Sequence, residues 1–375
     1  MKSRKRYALC RRNNRGSDIC NGRKSIIEER KFGRMIAGED IVIYSLKNKN
    51  GMQADVMNFG AILVNLFVPD KNGEVKDVVL GYDRAKDYFV NGSCFGSTIG
   101  PVANRTAKGQ FELDGTIYNL IINDNDNNLH SDGNAGLHKT MWQAEKKETE
   151  NAVTFSVSCK DGLLGFPGNR KFAVTYKLTE DNALEIHYFA STDKDTLVNM
   201  TNHSYFNLKG NDSETTVEDV KVWLKASHYT KIRHGAIPTG EIASVKGTPF
   251  DFTTMKQISQ DIDAENAQLA LVKGYDHNFV IDDYEAGKVQ KIAEVVDEKA
   301  LRSMEVYTDL PGVQLYTGNN MVPELGKGDA LYPCRGGICL ETQFFPNCAR
   351  QEGFIKPVVT PEKPFTSTTI YKFVN

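Results

Sequence analysis

The sequence predicts an all-β chain: a large antiparallel β-sandwich of many strands with a few short helices. Three observations carry this. Apolar residues recur at every second position in several segments, turn-forming pairs punctuate them, and no strand–helix–strand rhythm or internal repeat runs through the chain. In chain order, Ile62, Val64, Leu66 and Val68 alternate and stop at Pro69, which predicts one shared face. Asn72-Gly73 follows as a two-residue hairpin turn, and Asp114-Gly115 marks a second. Val153, Phe155, Val157 and Cys159 then alternate with polar or small residues. Phe172, Val174, Tyr176 and Leu178 do the same, as do Leu184, Ile186 and Tyr188. Short helical pieces are expected around Arg84–Val90 and Gln257–Ala270. No GxGxxG leads from a strand into a helix and GxxxxGK[ST] is missing, so nucleotide binding has no support.

Composition narrows the function classes. The chain has 375 residues, 40% hydrophobic and 25% charged, an ordinary globular balance. Lys and Arg total 46 against 48 Asp and Glu, and a nucleic-acid partner would need a basic excess. No apolar run approaches the roughly 20 residues that span a bilayer, so no membrane partner is expected. Seven cysteines, at 10, 20, 94, 159, 334, 339 and 348, are odd in number and thinly spread, which fits reduced thiols in a cytoplasmic protein. They form no CxxC pair and the seven histidines form no HxH or HExxH, so spacing gives no reason to expect a metal.

The N-terminus differs. Residues 1–34 hold twelve Lys or Arg against three Asp or Glu, with no apolar stretch for a secretion signal. They read as a basic, disordered leader, with Met35 an alternative start and residues 35–375 a single β-sandwich domain.

In such a fold, chemistry falls to side chains at strand ends and loops. His203 sits in Asn199-Met200-Thr201-Asn202-His203-Ser204-Tyr205-Phe206-Asn207-Leu208, among groups able to fix an imidazole tautomer. His130 follows the polar run Asn123 to Asn128, a loop, and His277 lies in Gly274-Tyr275-Asp276-His277-Asn278-Phe279. Glu341 interrupts an apolar, strand-like run in Ile338-Cys339-Leu340-Glu341-Thr342-Gln343-Phe344-Phe345-Pro346. A carboxylate in such a run is rarely buried unless paired or functional, and burial would raise its pKa toward neutrality, where it makes a useful base. Each of these residues has a plain structural reading too: a satisfied core histidine, or a glutamate facing water at a strand end. The residues alone therefore offer a His/Glu acid–base pair without naming a reaction.

The same motifs resemble those of the aldose 1-epimerase (galactose mutarotase) family. Those before residue 170 are Asn58-Phe59-Gly60-Ala61, Gly100-Pro101-Val102-Ala103-Asn104-Arg105, Asn128-Leu129-His130 and Asp161-Gly162-Leu163-Leu164-Gly165-Phe166-Pro167-Gly168. Those after it are Thr201 to Leu208, Ile237-Pro238-Thr239-Gly240-Glu241, Gly274 to Phe279, Pro311-Gly312-Val313-Gln314-Leu315-Tyr316-Thr317-Gly318 and Leu340 to Pro346. The resemblance implies a large β-sandwich and a cofactor-free reaction, the interconversion of α and β anomers of free hexoses such as galactose and glucose. By motif position, Glu341 is the implied general base at the C1 hydroxyl and His203 the implied general acid at the ring oxygen. Both would then titrate near working pH. Asn104 and Arg105 would hold hydroxyls and orient the ring, His130 would donate to a hydroxyl or the ring oxygen, Asp276 would accept from two hydroxyls, and Gln314 would contact the sugar near C1. A monomer is expected.

Two departures from the family pattern stand out: Ser131-Asp132 where two glycines are common, which could reshape the loop over the substrate, and Asn347-Cys348 after the Glu341 motif. Three rivals share parts of the picture. A hexose-6-phosphate 1-epimerase would add basic residues to grip phosphate. A non-catalytic carbohydrate-binding β-sandwich would have no need of the His/Glu pair. A glycoside hydrolase would usually need two carboxylates.

Overall fold

The computed structural model describes residues 27–374. Its first sheet has five antiparallel strands in chain order: Glu28–Arg34, Asp40–Lys47, Gln53–Met57, Ile62–Pro69 and Val75–Asp77. The first of these corrects the leader boundary. Residues 28–34 pair with Asp40–Ser45 as the sheet's edge, and Arg30 and Arg34 meet Asp55 and Asp40. The strand is largely exposed, so it carries no apolar alternation to betray it, and charge is what protects an exposed edge. The rest of the expected leader, residues 1–26, lies outside the described residues.

The second sheet is longer: nine antiparallel strands, in the order Gln143–Lys147, Ala152–Cys159, Arg170–Leu178, Ala183–Thr192, Phe365–Phe373, Arg302–Thr308, Gln290–Asp297, Lys221–Leu224 and Lys256–Gln257. Three of the expected alternations are its strands, with Phe155, Val174, Tyr176, Ile186 and Tyr188 buried and Val157 half-buried. The C-terminal strand lies inside this sheet, between Ala183–Thr192 and Arg302–Thr308, so the end of the chain is needed to join its two halves.

A third sheet places Ile237–Ser244, His228–Arg233, Asp276–Val280, Gly312–Tyr316 and Cys339–Gln343 side by side. Side chains from all three sheets meet in one apolar cluster, including Leu66, Val68, Phe155, Tyr176, Phe279, Leu315 and Leu340. A second cluster, with Ile43, Met57, Ile62, Val64, Phe95, Tyr205 and Tyr316, covers the other face of the first sheet.

That division overturns one expectation. Ile62 and Val64 belong to the second cluster, Leu66 and Val68 to the first. Asp55 pairs with Asn65 while Val56 pairs with Leu63, so Val64 is an extra residue, and this β-bulge exchanges the faces halfway along the strand. The alternation was right; the single face was not. Asp114-Gly115 is a two-residue turn with both φ positive (50° and 72°), whereas Asn72-Gly73 falls in a longer loop, closed by the Asp70 amide donating to the Glu74 carbonyl and by Asp70 Oδ1 accepting from the amides of Asn72 and Glu74. Among the described residues, α-helix is confined to Asp87–Val90 and Ala267–Val272, and one of several 3₁₀ turns lies at Ile258–Gln260. The expected piece at 257–270 is cut short because Gln257 pairs with Lys221 and Asn266 caps a helix that begins at Ala267. Among the described residues, no helix is long and apolar enough to cross a membrane.

Candidate active site

The third sheet builds the floor of a cleft of about 550 Å³. Register puts Asp276 opposite Tyr316 and Tyr316 opposite Cys339, and two residues along puts Asn278 opposite Gln314 and Gln314 opposite Glu341. Pleating then sends Asp276, Gln314, Tyr316 and Glu341 to one face and Phe279, Val313, Leu315 and Leu340 to the apolar core. One face is therefore available for chemistry because the other anchors the sheet. His203 ends a short strand, Thr201–His203, paired with Ser97–Ile99. The wall comes from a two-residue pairing of Arg105 with Leu129 and Thr106 with Asn128, which sets Asn104 and His130 side by side.

Asn104, His130 and Ser131 all take left-handed backbone, with φ of 61°, 56° and 66°. Such conformations in non-glycine residues cost of order 1 kcal/mol each and persist where surrounding bonds hold them. The bonds are present: the Asn104 amide donates to His130 Nδ1 at 3.1 Å, and the Ser131 hydroxyl accepts from the Val102 amide and donates to the Val102 carbonyl, both at 2.9 Å. Asp132 Oδ1 accepts from the amides of Asn134 and Ala135. At Ser131-Asp132, where the chain departs from the family pattern, the loop is thus tied down by the substituted side chains themselves. The second departure is also a brace: the Asn347 amide donates to the Arg105 carbonyl and its Oδ1 accepts from the Ala107 amide.

Six of the seven expected site residues line this cleft: Asn104, Arg105, His130, His203, Asp276 and Glu341. Gln314 lies behind them, donating to Asp276 Oδ1 at 2.7 Å and accepting from Gln343. His203 Nε2 is 3.7 Å from Glu341 Oε1, its Nδ1 faces Cys339 Sγ at 3.7 Å, and its ring stacks on Tyr205 with centroids 5.1 Å apart. Arg105 Nε donates to Asp124 at 2.8 Å and its terminal nitrogen is 3.7 Å from Asp276. His277 points away from the chemistry. It accepts from the Asp276 amide and packs against Phe250 and Tyr229, the structural role that a lone histidine suggests.

Sequence reasoning missed three contributors. Asp124 aims Arg105 from within a run read only as loop. Tyr205 lies in a quoted motif, but its stacking on His203 needed the fold. His138, on the 3₁₀ turn Leu137–Lys139, lines the cleft with neither ring nitrogen hydrogen-bonded among the described residues, and nothing in its local sequence announced it.

Electrostatics set the two central groups apart. Glu341 is 2% exposed and its Oε2 has no hydrogen-bond partner among the described residues. Burial, aided by the Asp276 charge and opposed by Arg105, pushes its pKa up to about 8. Burial holds His203 down at about 4 and His130 well below the usual imidazole range. Burial works against the Arg105 charge too, but Asp276 and Asp124 outweigh it. Burial thus moves Glu341 up toward neutrality and His203 away from it, favouring the uncharged form of both groups.

The cleft thus sets a buried carboxyl and an imidazole 3.7 Å apart, with further hydrogen-bonding side chains around them. The chain belongs to the aldose 1-epimerase family, whose model matches residues 42–372. It is 38% identical over 345 residues to galactose mutarotase of Bos taurus, covering 91% of this chain and 97% of that one. It is 35% identical over 342 residues to aldose 1-epimerase of Escherichia coli (strain K12), covering 90% and 96%. The fold agrees: a GalM/aldose epimerase homologue from C. elegans superposes with a TM-score of 0.80 at 29% identity, covering 89% of this chain and 98% of that one.

Proposed function

We propose that this chain interconverts the α and β anomers of free hexoses such as galactose and glucose, with Glu341 and His203 moving the protons. The observation that carries the reading is the Glu341–His203 pair, 3.7 Å apart and buried beneath an open cleft. Glu341 takes the C1 hydroxyl proton while His203 protonates the ring oxygen, and the C1–O5 bond breaks. The aldehyde rotates about C1–C2, and closure on its other face reverses both transfers. Asn104, Arg105 and Asp276 hold hydroxyls, Gln314 steadies Asp276 from behind by donating to its Oδ1, and His130, whose Nδ1 already accepts from Asn104, presents Nε2–H as a donor.

The resting proton has a place in this scheme. Protonated Glu341 with neutral His203 is the distribution the open-chain sugar requires, so the empty site is set for the intermediate. A closed sugar shifts the proton to His203, because its C1 hydroxyl donates to the carboxylate and its ring oxygen accepts from the imidazolium.

We place the activity in the cytoplasm, on its reduced-thiol usage, and in a monomer, since each of these cleft residues comes from one chain. The phosphorylated-sugar reading is weaker: among the described residues lining the cleft, Arg105 is the one Lys or Arg, and two carboxylates already engage it. The test follows the optical rotation of freshly dissolved α-D-galactose. Wild type is expected to equilibrate it far faster than buffer, and Glu341→Gln to fall toward the buffer rate by about 10²–10⁴-fold. A wild type no faster than buffer would sink the free-galactose reading.

A further inference from the structure

The fold assembles a donor set that no spacing in the sequence suggests. His130, His203 and Glu341 come from a loop and two separate strands, yet one ligand-capable atom from each lies within 4.8 Å of the others. His203 Nε2 and Glu341 Oε1 are already 3.7 Å apart. A tetrahedral zinc ion with bonds near 2.1 Å needs its ligands about 3.4 Å from one another, so small side-chain rotations would close the set. Two imidazoles and a carboxylate with an open fourth position suit zinc, whereas magnesium and calcium want mostly oxygen ligands.

Further observations favour a ligand here. All three residues are buried, and all three line the open cleft, so an ion can enter and the fourth position faces it. The Asn104 amide occupies His130 Nδ1 and leaves Nε2 as the free ligand atom, the arrangement by which a backbone bond orients a metal-binding imidazole. Glu341 Oε2 is buried without a hydrogen-bond partner among the described residues, so the carboxylate has an oxygen for which the protein supplies no donor.

We propose that the sugar-free cleft binds one zinc-class divalent cation through His130, His203 and Glu341, and that cation and sugar exclude each other. Zinc is then a reversible inhibitor, because it occupies the two groups that would move protons. Binding of the cation stands on the donor set alone. The inhibition rests on the epimerase reading.

The test is calorimetric titration of the chelator-treated full chain with zinc chloride. Cys10, Cys20 and Cys334 are first replaced by Ser, since thiols are competing zinc ligands and Cys334 is exposed. One equivalent is expected to bind at micromolar or lower concentration. His130→Phe and Glu341→Gln, each checked for an intact far-ultraviolet spectrum, are each expected to weaken it at least about tenfold. Saturating galactose is expected to weaken it in the parent protein, and zinc to raise the apparent KM for galactose. Absence of a one-to-one isotherm, or an isotherm unchanged in both variants, would overturn the site. An isotherm indifferent to galactose, in a protein that the optical-rotation assay shows to turn galactose over, would overturn the exclusion. If that assay finds no turnover, the epimerase reading fails separately and the two variants still decide the metal site.

Discussion

The nine-stranded sheet and the cleft are both buried, and they are built by opposite rules. In the sheet, Phe155, Val174, Tyr176 and Ile186 point inward at every second position, and polar residues such as Thr154 and Thr175 bond to each other across strands. In and behind the cleft, the buried residues include the polar Asn104, His130, Ser131, His203, Asp276, Gln314 and Glu341, three of these seven in left-handed backbone. A carboxylate oxygen and both nitrogens of His138 there lack partners among the described residues. One region accumulates stability through apolar burial; the other draws on it to hold charge and strain where water would relax them. The difference teaches that activity and stability should separate by region, and substitutions can test that separation.

The sharpest break is chemical. His203→Asn keeps a polar group of similar reach but cannot carry the proton, so kcat for galactose is expected to fall about 10²–10⁴-fold with little change in thermal midpoint. A near-normal kcat, measured by polarimetry, would remove His203 from the mechanism. The mirror experiment is Phe155→Ala in the long sheet. The cavity is expected to cost about 3–5 kcal/mol in urea unfolding while kcat/KM of the folded fraction stays within about twofold.

Next comes pH. Glu341 titrates at about 8 in the folded chain against 4.5 ordinarily, so the folded state holds an extra proton between those values. Stability is lost as pH rises through that window, by about 1.4 kcal/mol per unit, and the loss is complete above pH 8. Glu341→Gln removes the loss, so its stability relative to wild type is expected to climb from pH 5 to 8 and then level. On the acid side the sign reverses. Burial holds His203 at about 4 and His138 and His277 at about 3, and these take up protons on unfolding below their ordinary 6.5, so stability falls as pH drops from there. Chemical denaturation across pH 4–9 reads both limbs, and a flat difference between Glu341→Gln and wild type would contradict the burial of that carboxyl.

The smallest effect concerns orientation. Arg105→Lys keeps the charge but loses the fork that reaches Asp124 and the cleft together, so KM is expected to rise about tenfold with kcat changed less. A loss confined to kcat would instead make Arg105 part of proton transfer.

Period-two patterning exposed the long sheet because half-burial writes itself into alternate residues. It missed Glu28–Arg34, an exposed edge with nothing apolar to repeat, and it misassigned the faces of Ile62–Pro69, because a bulge changes register without changing composition. The candidate site was visible as motifs, Glu341 most clearly as a charge within an apolar run. The need of Arg105 for Asp124, the stacking of Tyr205 on His203 and the place of His138 were not visible, since each is a contact between segments whose local sequences are ordinary.

By itself the sequence determined the all-β class, the Asp114-Gly115 turn and three strands of the long sheet, and through motif resemblance it proposed the residues on which chemistry would fall. Those properties are local or are carried by residue identity. Only the tertiary structure decided that Glu341, from one strand, sits 3.7 Å from His203 of another, that burial raises the Glu341 pKa, and that one atom each of His130, His203 and Glu341 lies within 4.8 Å of the others. Distance and desolvation belong to the packed ensemble of strands, and no single segment contains them.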